Sequence, residues 1–123
     1  MDERQKHILR LRGTDVEGAL DRFCGDEALY ATCLIRFLGD DTMPALNAAV
    51  ASANWDDAFT AAHALKGLAG NLGFVPLMHA TGQMVVLIRG GRLRELPECA
   101  LQDNSSYRDV TDAIRIGLAD VIE

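Results

Sequence analysis

Disulfide chemistry is the first thing this chain lacks. Its 123 residues hold three cysteines, Cys24, Cys33 and Cys99. They form an odd, scattered set without Cys-x-x-Cys spacing, so neither a disulfide framework nor a cysteine-based metal site is expected. Reduced thiols fit best, with Cys33 as a small core residue. No apolar run approaches the ~20 residues that span a bilayer, so direct membrane insertion is not expected. The opening MDERQKHILRLRG has no apolar h-region, and no secretory leader is expected either; a cytoplasmic location follows. Positive charge is scarce, with 12 Lys and Arg against 18 Asp and Glu and a net charge of −6. A nucleic-acid binder usually shows a basic patch, so DNA and RNA are not expected partners. The glycine-rich nucleotide loop of ATP-using enzymes is also missing, and the chain is too short to add a kinase domain. Its carboxylates are dispersed, so no metal of its own is expected. No segment alternates in the manner of a strand, and no internal repeat is present.

What remains is a helical pattern. Hydrophobic residues make up 49% and charged residues 24%, the balance of an ordinary soluble domain with one core. Residues 1–12 read as an extension that packs on the domain or as the end of a linker, and His7 there as a solvated side chain. Residues 13–123 read as the domain itself. Gly13-Thr14-Asp15 starts a short helix carrying Val16, Ala19 and Leu20. Asp26 caps a helix to about Leu38, with Leu29, Cys33 or Leu34, and Phe37 inward. Asp40-Asp41-Thr42 starts the next, with Pro44 in its first turn and Met43, Leu46, Ala49 and Val50 inward. Asn54 caps a long helix to Gly73, and Pro76 opens another to Arg89 with Leu77, Thr81, Met84 and Ile88 inward. Residues 91–106 look irregular because of Pro97 and the polar run Gln102 to Ser106. Ser106 is then expected to cap a last helix from Tyr107 to about Ile122. Short connections imply antiparallel neighbours. The expected fold is therefore all-α: an antiparallel up-and-down four-helix bundle of residues 26–39, 42–52, 54–73 and 76–89, with additional N- and C-terminal helices. A monomer is expected.

The stretch from Asn54 to Phe74, NWDDAFTAAHALKGLAGNLGF, organises the rest. Ala58, Ala62, Leu65, Ala69 and Leu72 recur at spacings of four and three and form one buried stripe. His63 falls outside it, with Phe59, Lys66, Gly67 and Gly70 on its side of the helix. Gly73 suits the helix end. Gly67 and Gly70 are not caps, and each costs roughly 1 kcal/mol relative to Ala. Two readings stand here: room for another molecule to approach His63, or close packing of helices.

His63-Ala64-Leu65-Lys66-Gly67, followed by Ala69-Gly70-Asn71-Leu72-Gly73, closely resembles the signature of histidine-containing phosphotransfer (HPt) domains of two-component phosphorelays. The segment from Gly13 through Leu20, Arg22-Phe23 and Gly25-Asp26 to Tyr30 also resembles the opening of many such domains. The likeness runs from about Gly13 to about residue 88. It implies a four-helix bundle, a phosphoryl group carried on His63, and receiver domains of a response regulator or hybrid sensor kinase as partners. The receiver would contribute the aspartate and the Mg²⁺. On this reading Lys66 is the charge partner of the phosphate, and Phe59, Gly67 and Gly70 form the docking surface. The chain would stand alone or form the end of a membrane-bound hybrid kinase, without an ATP-binding domain of its own. Many members carry Glu or Gln on the following helix near the histidine, just after an apolar residue. Here Met84 is followed by Val85, and Gln83 lies two residues away on a different face.

The residue chemistry agrees with this resemblance. A neutral imidazole is a nitrogen nucleophile. An ammonium one turn away can counter a phosphoryl charge. The alternative is a non-catalytic helical docking bundle that binds a signalling partner without phosphorylation. A metal site built from His63 and His79 is a weaker alternative, because the two histidines stand sixteen residues apart without nearby cysteine ligands.

Overall fold

The computed structural model describes residues 1–122. Seven α-helices and one 3₁₀ turn make up the described chain: α1 (Glu3–Leu11), α2 (Val16–Arg22), α3 (Glu27–Phe37), α4 (Thr42–Ala51), α5 (Trp55–Leu72), α6 (Val75–Arg89), the turn Leu93–Glu95, and α7 (Leu96–Gly117). Their starts follow local chemistry. The Asp26 carboxylate accepts from the Leu29 amide at 3.0 Å, and the Asn54 side chain accepts from the Asp57 amide at 3.2 Å. Each such cap contributes about 1 kcal/mol. Asp56 and Asp57 in the first turn of α5 face the positive end of its dipole.

The bundle consists of α4, α5, α6 and α7. Each packs antiparallel to its predecessor, and α4 meets α7 through paired amides, Asn47 to Asn104, at 3.0 and 3.1 Å. This corrects the expected membership, in which residues 26–39 supplied the fourth helix. Helix α7 starts at Leu96 and not at Tyr107, so Ser106 is an interior residue and caps nothing. Pro97 lies in the first turn of α7, where a missing N–H breaks no helical bond. Two residues of the polar run face neighbouring helices. Asp103 is fully buried and accepts from the Thr81 hydroxyl at 2.6 Å, and Asn104 reaches α4. On α3 the expected Leu34 and Phe37 are buried, and only the first inward position differs from expectation. Tyr30 and Leu34 point inward, whereas Leu29 is 49% exposed. Val121, near the end of the described chain, is exposed as well.

The N-terminal helices serve the end of α5. An α-helix leaves its last carbonyls without intrahelical partners. Here Arg22 Nε donates to the Asn71 carbonyl at 3.1 Å, the buried Tyr30 hydroxyl donates to the Leu72 carbonyl at 2.7 Å, and the Asp15 amide donates to the Gly73 carbonyl at 2.8 Å. Gly73 takes φ +83°, and the Phe74 amide bonds back to the Ala69 carbonyl at 2.9 Å, which closes a Schellman turn. A side chain on Gly73 would lie 2.5 Å from the Asp15 carbonyl oxygen, so glycine is required for space as well as for conformation. Residues 3–11 form α1, which packs along α7 and buries Leu9 completely.

Candidate functional site

The buried stripe of α5 has the predicted composition: Ala58, Ala62, Leu65, Ala69 and Leu72 are all buried. That stripe fixes the rotation of the helix and places His63 on its outer side, exposed to solvent. Lys66 and Gly67 are exposed beside it. Phe59, one turn earlier, is partly buried and packs against the core. Its ring lies parallel to the His63 imidazole, with centroids 6.1 Å apart and an interplanar angle of 7°. Among the described residues no side chain hydrogen-bonds the imidazole.

The two glycines of the motif differ. A Cβ on Gly67 would have no neighbour within 4 Å, so the helix surface there is open. A Cβ on Gly70 would lie 3.2 Å from the Met78 sulfur, so the space at Gly70 is occupied by α6. Of the two readings left by the sequence, Gly67 has the geometry of access and Gly70 that of packing. Gly70, also expected on the docking surface, is half-buried with the Met78 side chain beside it.

Helix α6 adds residues that the sequence did not single out. The stem of Lys66 lies 3.5–3.6 Å from where a Gly82 Cβ would stand, an ordinary van der Waals separation, so Lys66 faces Gly82 across the pair of helices. The Arg89 guanidinium lies over the Phe59 ring, 5.3 Å from its centroid, in cation–π contact. An unexplained glycine inside the α6 pattern was the available signal for Gly82. Arg89 carried none, since an arginine in a last helical turn is ordinary.

These contacts set the register of the pair. Gly70 meets Met78, Lys66 meets Gly82 and Phe59 meets Arg89, each step back along α5 matched by an equal step forward along α6. By the same steps Val85 stands across from His63. Val85 is buried and offers only methyl groups. Gln83 turns the other way and lines a groove toward α7 with His79, Gln102 and Ser106. His79 therefore lies on the far side of α6 from α5, and the structure does not bring it together with His63. His7 is exposed on α1. Among the described residues no group of three His, Cys, Asp or Glu side chains converges as a metal site would. On the opposite flank of α5, a shallow apolar groove against α4 is lined by Ala45, Ala48, Ala61 and Ala64, with Asp41 and Asp57 also in its wall.

The sequence model of the family described as Hpt domain matches residues 38–121, more than half of the chain. The chain belongs to the Hpt domain family. The match covers α4 to α7, the four helices of the bundle, and runs further toward the C-terminus than the motif resemblance suggested, while the upstream segment from Gly13 to Tyr30 lies outside it. Neither the comparison with curated proteins nor that with solved structures gives a match. Hpt domains act in two-component phosphorelays and interact with receiver domains. No helix among the described residues is long and apolar enough to cross a membrane.

Proposed function

We propose that this Hpt domain relays phosphoryl groups through His63, taking them from the phosphoaspartate of one receiver domain and passing them to the aspartate of another. The observation that carries the reading is the exposed His63 imidazole beside the open helix surface at Gly67. A partner's active site needs such clearance to bring an aspartyl phosphate within bonding distance of a ring nitrogen. Lys66 supplies a nearby ammonium for the phosphoryl charge. The receiver contributes the aspartate and the Mg²⁺ that phosphoryl transfer from an acyl phosphate requires. Phosphorylation is expected at His63 alone. A receiver domain charged with acetyl phosphate in Mg²⁺ should label the wild type at one acid-labile, base-stable site. His63→Gln should abolish the label, and His7→Gln and His79→Gln should retain it. Persistent labelling of His63→Gln would sink the assignment.

A further inference from the structure

We infer that stacking on Phe59, and not a hydrogen bond, holds the His63 imidazole in its reacting orientation, with Arg89 bracing Phe59 from α6. The inference rests on the phosphotransfer reading above and assigns Phe59 a positioning role in it.

The argument starts from the freedom of an exposed histidine. Rotation about its Cβ–Cγ bond is soft, because that torsion joins an sp³ carbon to an sp² ring. Something must narrow it if the ring is to meet a partner in one orientation. A hydrogen bond from the facing helix would do so, but the facing residue is Val85, which has no polar atom. The contact that His63 does make is with Phe59. The two rings lie 6.1 Å apart between centroids and only 7° from parallel, within the range of displaced aromatic stacks. Phe59 is itself fixed, partly buried against the core on one side and covered by the Arg89 guanidinium at 5.3 Å. The order is thus transmitted from the core, through Phe59, to the imidazole.

The orientation matters because the nitrogen lone pair lies in the ring plane. That pair forms the N–P bond, the P–O bond to the donor aspartate breaks, and its electrons stay on the released carboxylate. The proton on the other ring nitrogen leaves to solvent. A tilted ring points its lone pair away from phosphorus, and such misplacement lowers the rate without changing how tightly the partner docks.

Phe59→Leu separates positioning from docking, since leucine keeps an apolar side chain and loses the stack. With the receiver charged by acetyl phosphate in Mg²⁺, kcat for labelling is expected to fall by about threefold to tenfold with KM unchanged. Phe59→Tyr keeps the stack and should stay within about twofold of wild type. Adding Val85→Gln to Phe59→Leu supplies an amide across from the ring and should restore most of the lost kcat. A raised KM with unchanged kcat in Phe59→Leu would overturn the inference and make Phe59 a docking residue. Three-bond couplings across the His63 Cβ–Cγ bond give a readout independent of transfer. They should report one dominant ring orientation in the wild type and averaging in Phe59→Leu; equal averaging in both refutes the stack. If the wild type takes no label from the receiver, the phosphotransfer reading fails while the couplings still decide the stack.

Discussion

Replacing Asp103 by Asn is expected to stabilise the bundle at neutral pH and not in acid. Asp103 is completely buried on α7, and its one polar contact is the Thr81 hydroxyl at 2.6 Å; its second oxygen has no partner. Among the described residues no cation pairs with it. Cys99, one turn earlier, faces the same region, and its thiol is pushed up by burial and by the Asp103 charge. Burial raises the Asp103 carboxyl from 3.8 to about 6, against the smaller opposing effect of the Thr81 bond. The sign then follows from linkage. The unfolded chain releases this proton near 3.8 and the folded chain near 6, so between those values the fold holds more protons. The stability that the protonated carboxyl contributes is fully present below 3.8, declines as pH rises, and is lost above about 6.

Roughly two pH units at ~1.36 kcal/mol each give a swing of about 3 kcal/mol. Asparagine is neutral throughout and retains the acceptor for Thr81. Its NH₂ replaces the unpartnered oxygen, and an unmet buried donor costs about 1–2 kcal/mol at every pH. The net expectation is a gain of about 1–2 kcal/mol at pH 7 and a loss of similar size at pH 4. Urea unfolding of both proteins at half-unit steps from pH 4 to 7.5 measures this. The swing is the decisive quantity, because the constant cost cancels from it. A difference between the two proteins that stays flat across the window would show that Asp103 titrates in the fold as it does in the unfolded chain, and would refute the reasoning.

Other consequences concern the site helix. Gly73→Ala forces an L side chain into the left-handed region and against the Asp15 carbonyl, and thermal or urea unfolding should show a loss of at least ~2 kcal/mol. Gly67→Gln meets open space and gains helix propensity, so the bundle should stay folded, with stability unchanged or raised by about 0.5 kcal/mol, while transfer from the receiver is blocked. Retained transfer would remove the access role from Gly67. Lys66→Ala should slow transfer and shorten the phosphohistidine lifetime by roughly threefold to tenfold at low salt, with the ratio shrinking as salt is raised. Equal lifetimes at low salt would make Lys66 part of a solvated face only, and Lys66→Arg should recover part of the loss.

The site helix was legible because every level of its sequence agreed. A stripe of small and branched apolar residues, an Asn cap, acidic residues at the start and glycine at the end all describe one element, and each behaves as read. The start of α7 was hidden for the opposite reason. Polar residues from Gln102 to Ser106 read as a loop when judged one at a time, yet Asp103 and Asn104 spend their polarity on Thr81 of α6 and Asn47 of α4. Such bonds join residues far apart in sequence, and no local pattern announces them. Pro97 strengthened the misreading, although a proline in a first turn is as consistent with a helix start as with a break. In α3 the polar tip of Tyr30 disguised its burial, because the partner that satisfies its hydroxyl is a carbonyl at the end of another helix.

The α5–α6 interface shows why the motif could be recognised while half of its surroundings could not. Each helix contributes an interior glycine, and each glycine faces a long side chain from the other: Met78 at Gly70, and the Lys66 stem at Gly82. The glycines interlock the helices through crossing side chains. For Lys66 the consequence reaches the site. A lysine on an open helix surface samples many rotamers, and ordering one costs free energy. The Lys66 stem instead runs toward α6 over Gly82, which narrows its directions, while the residue stays exposed. Phe59 and Arg89 repeat the arrangement two turns away, with a side chain of α6 ordering one of α5. Recognition of a motif on one helix therefore identifies the groups that carry the chemistry. The residues that face those groups, Gly82, Val85 and Arg89, lie on the neighbouring helix and become visible only with the register of the pair.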